Sequence, residues 1–239
     1  MEVSVLIPTY NRASLIGDTI KSILLQTLGD FELIIYDDGS ADSTPDVVKS
    51  FNDPRIRYIK CGVNNGVQYA RNKLLEACKT KYAAWSGSDD LSNIHRLEIQ
   101  LDYIKSTGRV IVGTNYIGFQ DVPWPGVPAF KVVSTAEAYK LYLMPPEEAA
   151  PEVIKYPHGG DGTNMVEVPK AVQIKYKLNR SLGGGDCVWM DDICARYKTD
   201  RPLIPKVLYY VRYHEQRIGR WKKNPSLNRD WYNRMKAAR

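Results

Sequence analysis

The segment from Phe31 to Tyr36 most constrains the fold, because five of its six side chains are apolar or aromatic and two carboxylates, Asp37 and Asp38, follow at once. A near-continuous apolar strand of this kind is typical of a parallel sheet that helices cover on both faces. Two adjacent negative charges at its end repel each other unless a cation, a hydrogen-bond donor or water compensates them. The segment therefore predicts a buried strand that ends at a ligand site or at a solvated turn.

Strand and helix patterns alternate around this segment. Val3, Val5 and Ile7 alternate in a short strand, and apolar residues between 16 and 24 recur on one helical face. Further strand-like runs lie at 55–60, 82–85 and 202–213, and a helical pattern covers 66–78. The alternation continues to about residue 118 and predicts an α/β architecture, a single Rossmann-like, open, twisted and mostly parallel sheet with helices on both faces.

Length and composition fit an ordinary folded protein with a sizeable core, since the 239 residues are 44% hydrophobic and 25% charged. No apolar run reaches the length of about 18 residues that spans a bilayer, and the first residues do not resemble a signal peptide. We therefore expect a cytoplasmic protein. The four cysteines show no metal-ligand spacing and are expected to be reduced and mostly buried; they are Cys61, Cys78, Cys187 and Cys194.

Prolines interrupt the chain between 121 and 162 and break any long element there. A helical pattern from Thr135 to Leu143 lies inside this stretch, so we interpret it as part of the same domain and not as a linker. The sequence predicts one domain over 1–239, divided into 1–118, 119–215 and a basic tail at 216–239.

The net charge of +6 is concentrated towards the C-terminal end. The basic residues there are Arg212, Arg217, Arg220, Lys222, Lys223, Arg229, Arg234, Lys236 and Arg239. A solvated tail, a clamp for a diphosphate and peripheral contact with an anionic membrane surface all fit this pattern. No nucleic-acid-binding motif accompanies the charge, so no nucleic-acid partner is expected.

Polar side chains end three of the predicted strands. Thr9-Tyr10-Asn11, Asp37-Asp38 and Asp89-Asp90 would meet at the carboxyl edge of the sheet, where open α/β folds bind ligands. Neither GxGxxG nor GxxxxGK[ST] occurs, which disfavours a dinucleotide site and a P-loop. Carboxylates at this edge suit a divalent cation, Mn²⁺ or Mg²⁺, on a diphosphate. Alternatively, Asp89 and Asp90 cap the following helix.

Five motifs, in this order and spacing, resemble the family 2 glycosyltransferases of the GT-A fold. They are Ser4-Val5-Leu6-Ile7-Pro8-Thr9-Tyr10-Asn11-Arg12, Gln26-Thr27, Phe31 to Ser40, Asn65-Gly66 with Ala70-Arg71-Asn72, and Ser88-Asp89-Asp90. A weaker resemblance covers Gly185-Asp186 and the run from Tyr209 to His214.

The resemblance implies inverting transfer of a sugar from a nucleoside-diphosphate sugar to a hydroxyl of a glycan, lipid-linked or other acceptor. Residues 1–118 would bind the nucleotide sugar, and 119–215 would bind the acceptor and supply catalysis. Of the possible donors, UDP and dTDP sugars are favoured, and GDP sugars remain an alternative.

The resemblance also implies that Asp38 accepts a hydrogen bond from the base of the nucleotide. An ionised carboxylate only accepts, so it suits the ring N–H of uracil, thymine or guanine and not the bare ring nitrogen of cytosine. Asp37 is expected to fix the turn, and Arg71 to lie near the base and phosphates unless it forms a surface ion pair. The other implied nucleotide-binding residues are Pro8, Thr9, Tyr10, Asn11, Asn65, Ser88 and Asp89.

Asp89 is implied to reach the ribose, and Asp90 and His214 to hold the metal. A packed or exposed histidine is the alternative for His214. Many family members carry another aspartate two positions before the pair, where this chain has Gly87. The candidates for diphosphate contacts are Arg212, Arg217 and Arg220.

The catalytic base is expected to be Asp186, with Asp191 as the alternative. If 187–197 is a helix, Asp186 stands at its start, where backbone N–H groups and the helix dipole keep a carboxylate ionised. Arg212 resembles the closing arginine of the family, and its distance in sequence from the expected base also favours Asp186 over Asp191. With inward-facing residues in this helix, at least one of Asp191 and Asp192 faces solvent. The residues expected to face inward are Val188, Ile193 and Tyr197.

Two other functions fit the sequence less well than sugar transfer. A nucleotidyltransferase that makes the sugar nucleotide would carry a glycine-rich loop after the first strand, and residues 7–12 contain no glycine. A non-catalytic GT-A module that only binds a nucleotide is disfavoured by the joint presence of four carboxylates. They are Asp38, Asp89, Asp90 and Asp186.

Overall fold

The computed structural model describes residues 1–120, 132–149, 163–176 and 185–214. The strands are β1 (Val3–Thr9), β2 (Phe31–Asp37), β3 (Ile56–Lys60), β4 (Tyr82–Trp85), β5 (Leu91–Ser92), β6 (Ile111–Gln120), β7 (Val132–Ser134), β8 (Met165–Glu167) and β9 (Leu203–Tyr213). The helices are α1 (Ile16–Leu24), α2 (Thr44–Lys49), α3 (Val67–Ala77), α4 (Arg96–Thr107), α5 (Thr135–Leu141), α6 (Pro146–Ala149), α7 (Val168–Ala171) and α8 (Gly185–Tyr197).

These strands form one sheet in the order β3-β2-β1-β4-β8-β6-β9-β5, with β7 paired to β6. The pairs among β1 to β4 are parallel, as are β6 with β7 and with β9. The short strands β8 and β5 pair antiparallel with their neighbours. The expected mostly parallel α/β sheet is confirmed, and it runs through both predicted parts of the chain, 1–118 and 119–215.

Helices cover both faces of this sheet, as expected from the apolar strands. On one face α1 and α4 pack through Ile16, Ile20 and Leu101 against β1 and β2. On the other face α3 and α8 contribute Leu74 and Trp189 to a second cluster. The expected orientation of α8 is correct for Ile193, which is buried, and wrong for Val188, which is 40% exposed. Val188 faces outward because α8 packs against the sheet through Trp189, Met190 and Ile193.

A third apolar cluster belongs to the part of the chain after β6. Phe119, Val133 and Tyr142 pack there against Tyr210 of β9. The expected helix at 135–143 is confirmed as α5, and it begins where the Ser134 hydroxyl accepts a hydrogen bond from the Glu137 N–H at 3.2 Å. In the ranges that the structure describes, no helix is both long and apolar enough to cross a membrane.

Candidate active site

The loops that follow β1 and β2 are joined by hydrogen bonds. The Asp38 N–H donates to the Thr9 carbonyl at 2.9 Å, and the Asn11 N–H donates to the Ser40 hydroxyl at 2.8 Å. In return, the Ala41 N–H donates to the side-chain oxygen of Asn11 at 2.9 Å. Because the Thr9 and Asp37 positions are neighbours in the parallel register, the two loops leave the sheet side by side.

Asp37 fixes the turn after β2, as expected. Its carboxylate is fully buried and accepts from the Ser40 N–H at 2.7 Å and from the Tyr58 hydroxyl. Burial, and then the hydrogen bond to Asp37, raise the pKa of Tyr58, so this phenol stays protonated and donates. Gly39 has φ +82, and a Cβ there would lie 2.8 Å from the Val63 carbonyl carbon, so the turn requires glycine.

Asp38 is held at the start of α3. Its two oxygens accept from the Asn65 N–H at 3.1 Å, and one of them accepts from the Gly66 N–H at 2.6 Å. A carboxylate has about four acceptor positions, so capacity remains for the N–H of a base. The structure thus brings Asp38 and Asn65 together, both of which were expected to contact the nucleotide.

The other expected nucleotide contacts differ in exposure. The Thr9 side chain is buried, and its Oγ1 has no hydrogen-bond partner among the described residues, whereas Tyr10 is 38% exposed. Pro8 is half-buried in β1. Arg71 donates to the Gln68 side-chain oxygen at 3.2 Å, and its guanidinium lies over the Tyr176 ring at 5.3 Å.

Asp90 is bound by strand β9. One of its oxygens accepts from the Arg212 N–H at 2.9 Å, and the other accepts from the Tyr209 hydroxyl at 3.0 Å. The residue is 2% exposed. Each oxygen therefore serves one donor inside the protein and keeps a further acceptor position, so Asp90 as a metal ligand stays a prediction. The capping alternative is excluded, since α4 begins after His95 with no side-chain cap.

Asp89, which was expected to reach the ribose, lies beside His214, one of the two expected metal ligands. Its Oδ2 lies 2.9 Å from Nε2 of His214 and 3.5 Å from Nε of Arg12. The three side chains are 9 to 13% exposed, so one carboxylate lies between two nitrogen groups in a largely enclosed position. The sequence gives no role to Arg12, although it ends the first family-like motif. The neighbouring Ser88 is buried as well.

Arg212 ties the two parts of the chain together. Its guanidinium donates to Asp18 of α1 and to the Tyr139 hydroxyl of α5, both at 3.0 Å, and to the Asp89 carbonyl at 3.2 Å. It also lies over the Phe119 ring at 4.9 Å. The expected diphosphate candidate therefore makes links within the protein that sequence spacing does not predict. Arg217 and Arg220 lie outside the described residues.

The two candidate bases lie on α8. Asp186 is the second residue of this helix, which begins at Gly185, slightly earlier than expected. Its side chain lies outside what the structure describes. Asp191 is exposed, which confirms that one aspartate of the 191–192 pair faces solvent.

A divalent metal would find one carboxylate and one imidazole at Asp89 and His214. The described residues hold no cluster of three or more His, Cys, Asp or Glu side chains that could bind an ion. Mg²⁺ and Mn²⁺ commonly take the rest of their ligands from phosphate and water, so this small donor set fits an ion that arrives with a diphosphate.

The family follows from a match over most of the chain. The model described as "Glycosyl transferase family 2" matches residues 4–158. The chain belongs to this family. The matched range contains Asp38, Asp89 and Asp90, and it ends before Asp186 and His214.

Two curated proteins illustrate the relationship. The putative teichuronic acid biosynthesis glycosyltransferase TuaG of Bacillus subtilis (strain 168) is 33% identical over 138 residues, 57% of this chain and 54% of TuaG. The UDP-Glc:alpha-D-GlcNAc-diphosphoundecaprenol beta-1,3-glucosyltransferase WfgD of Escherichia coli is 32% identical over 114 residues, 48% of this chain and 45% of WfgD. The chain thus spans about half the length of these relatives.

Solved structures share the fold. S. aureus TarS 1-349 in complex with UDP-GlcNAc superposes with a TM-score of 0.65 at 22% identity, covering 90% of this chain and 59% of that one. Mannosyltransferase PcManGT from Pyrobaculum calidifontis, in complex with GDP-Man and Mn²⁺, gives 0.63 at 18% identity and covers 87% and 56%. The expected GT-A fold is confirmed.

Proposed function

We propose that this protein is an inverting glycosyltransferase. It would move a sugar from a UDP or dTDP sugar to a hydroxyl of a glycan or lipid-linked acceptor. The observation that carries the proposal is the environment of Asp89, where Arg12 from the β1 loop and His214 beyond β9 meet one carboxylate. Asp38 follows β2 and Asp89 follows β4, and both strands flank β1, so these groups share one edge of the sheet.

Asp38 would select the base. Its remaining acceptor capacity suits the N3–H of uracil or thymine, and the bound UDP-GlcNAc of TarS and the UDP-Glc in the name of WfgD support a uridine donor. The GDP-Man of PcManGT keeps guanine as the alternative, since its N1–H also donates.

Mn²⁺ or Mg²⁺ would be held by Asp89 and His214. When bound, such an ion neutralises the charge that develops on the leaving diphosphate. The Mn²⁺ in the PcManGT complex supports this choice of metal. Arg12 lies close enough to Asp89 to add positive charge at the same point.

Asp186 would act as the base. It would take the proton from the acceptor hydroxyl, whose oxygen then attacks the anomeric carbon on the face opposite the nucleoside diphosphate. The bond to the diphosphate breaks as the new glycosidic bond forms, so the configuration inverts. A position in the first turn of α8 favours an ionised carboxylate.

The acceptor is proposed from the relatives. The name of WfgD specifies a diphosphoundecaprenol-linked acceptor, which is a membrane lipid. To transfer a sugar to a lipid-linked acceptor, this protein would contact the cytoplasmic face of a membrane peripherally. The basic residues after Arg212 suit an anionic surface.

A donor screen tests the proposal. UDP, dTDP, GDP and CDP sugars are added with and without Mn²⁺, and thermal unfolding is followed, since a ligand at about 100 times its Kd stabilises by about 2.7 kcal/mol. A UDP or dTDP sugar should raise the melting temperature most, and more with metal. The stabilising donor should then release its nucleoside diphosphate, slowly with water and faster with a lipid-linked acceptor. Stabilisation with no release under any condition would instead indicate a binding module, and formation of a sugar nucleotide from a nucleoside triphosphate would indicate a nucleotidyltransferase.

A further inference from the structure

A single buried guanidinium holds both ends of the loop that carries the aspartates, residues 86–91, here called the aspartate loop. Arg96 donates to the Trp85 carbonyl at 2.7 Å on one side and to the Ser92 hydroxyl at 3.0 Å on the other. Its Nε donates to the Gln100 side-chain oxygen at 2.9 Å. Arg96 is fully buried, so it cannot serve as an ordinary surface cation.

Tyr209 holds the middle of the same loop. Its hydroxyl accepts from the Gly87 N–H at 2.7 Å and donates to the Asp90 carboxylate at 3.0 Å. Its ring lies over the Arg96 guanidinium at 4.9 Å. Burial raises the pKa of Tyr209, so the hydroxyl remains protonated and keeps its donor role.

The burial of Arg96 has a free-energy cost that its contacts must offset. Among the described residues, its hydrogen bonds go to neutral groups, and burial lowers its pKa to about 10. A buried cation is unfavourable unless a counter-charge and hydrogen bonds compensate it. The counter-charge is Asp90, which Arg96 reaches through the ring and hydroxyl of Tyr209.

We propose that Tyr209, supported by Arg96, is a positioning residue that holds the aspartate loop so that Asp89 and His214 can share one divalent ion. This rests on the metal role in the proposed function. The Asp90 carboxylate accepts hydrogen bonds from the Tyr209 hydroxyl and the Arg212 N–H. Asp89 directly precedes Asp90, and it meets His214, which lies shortly after Arg212 in the sequence. Without the hydroxyl, the Gly87 N–H and one Asp90 oxygen lose their shared partner.

The consequence is specific to the metal. Asp38 is held by Asn65 and Gly66 on other loops, so base recognition does not depend on Tyr209. A general loss of structure would weaken metal-free and metal-assisted nucleotide binding together. Loss of a positioning role would weaken only metal-assisted nucleotide binding.

Calorimetry of UDP binding with and without Mn²⁺ separates these cases. Tyr209→Phe keeps the ring over Arg96 and should lower the Mn²⁺ enhancement of UDP affinity about tenfold, the size expected for a buried hydrogen bond to a charged group, while leaving metal-free affinity unchanged. Tyr210→Phe is the matched control, because it removes a buried hydroxyl from the next residue of β9, whose side chain packs with Leu91 and Phe119. It should leave both affinities at the parent values.

A milder variant covers the case in which Tyr209→Phe does not fold. Ser92→Ala removes one contact of Arg96 at the end of the loop and should lower the enhancement in the same direction, about threefold. The inference is overturned if the foldable variants keep the full enhancement of the parent, or if they lose metal-free and metal-assisted binding equally. A parent protein that binds UDP with no metal enhancement would instead overturn the metal role itself, and this inference with it.

Discussion

Oδ2 of Asp89 lies 2.9 Å from Nε2 of His214, although 125 positions of sequence separate the two residues. The next residue, Asp90, turns the other way and is bound by the Tyr209 hydroxyl and the Arg212 N–H. Two adjacent carboxylates that look equivalent in the sequence therefore have different environments. One faces groups that can join a ligand, and the other holds the strand behind it.

This difference gives a prediction about the metal. Asp89→Asn should abolish the Mn²⁺ enhancement of UDP binding and change the melting temperature little. Asp90→Asn should cost about 1.5–3 kcal/mol of stability, because its amide nitrogen only donates and one of the two hydrogen bonds from β9 would lose its acceptor. Calorimetry and thermal unfolding of the two variants give the answer. The reverse pattern would indicate that Asp90, and not Asp89, binds the metal.

The second prediction concerns base selection by Asp38. Asp38→Ala should lower UDP affinity about ten- to a hundredfold, because a charged hydrogen bond in an enclosed site is lost. CDP affinity should fall less, since cytosine has no ring N–H to donate. The ratio of the two affinities, measured by calorimetry, separates recognition from the loss of the bonds to Asn65 and Gly66. An unchanged ratio would contradict the assignment.

Turnover identifies the base. Asp186→Asn should reduce turnover about 10²–10⁴-fold with donor affinity unchanged. Asp191→Asn, on the same helix and exposed, is the control and should remain active. Both are assayed with an acceptor that the parent uses. A dead Asp191→Asn beside an active Asp186→Asn would transfer the role to Asp191.

The fourth prediction concerns Gly87. A Cβ at this position would lie 2.5 Å from one Asp90 oxygen, and Tyr209 prevents that oxygen from moving away. Gly87→Ala should therefore cost about 1–3 kcal/mol, as overpacking does in a well-packed site. Gly29→Ala is the control, because a Cβ there meets nothing within 4 Å. Equal melting temperatures for the two variants would show that the aspartate loop shifts to accommodate the added Cβ.

The fifth prediction concerns acid. Arg55 donates to Asp53 through its backbone and side chain, and this bonding lowers the pKa of Asp53 below its ordinary value of 3.8. A lowered carboxylate pKa stabilises the fold above the unfolded value, and the contribution is lost as pH falls through the folded value. Asp53→Asn should destabilise at pH 7, and the difference should shrink below about pH 4. Asp102→Asn, at an exposed position on α4, is the control for loss of an aspartate elsewhere on the surface.

Much of the nucleotide half could be predicted because its signals are local. The strand β4 has the bounds that the sequence predicts, and β2 differs by one residue. The role of Asp37 also follows from the sequence, since a carboxylate before Gly39 commonly binds the turn that it begins. These features depend on residues a few positions apart.

The rest depends on contacts that spacing cannot reveal. β8 has three residues, too few for a periodic pattern, yet it joins β4 to β6 and continues the sheet. Arg212 looks like one more cation of a basic segment, and only the meeting of α1, α5 and β9 shows that it binds Asp18 and Tyr139. The choice between Asp89 and Asp90 likewise depends on the path of β9.

The distance in sequence between the aspartate loop and β9 also sets an order in time. Tyr209 is translated 119 residues after Asp90, an interval of about 6–24 s at usual rates of synthesis. Through that interval a nascent chain already carries Gly87 and both aspartates, but not the hydroxyl, amide and imidazole that bind them. The aspartate loop of a ribosome-bound chain would therefore lack these partners until β9 emerges, so the loop can reach its final arrangement only late in synthesis.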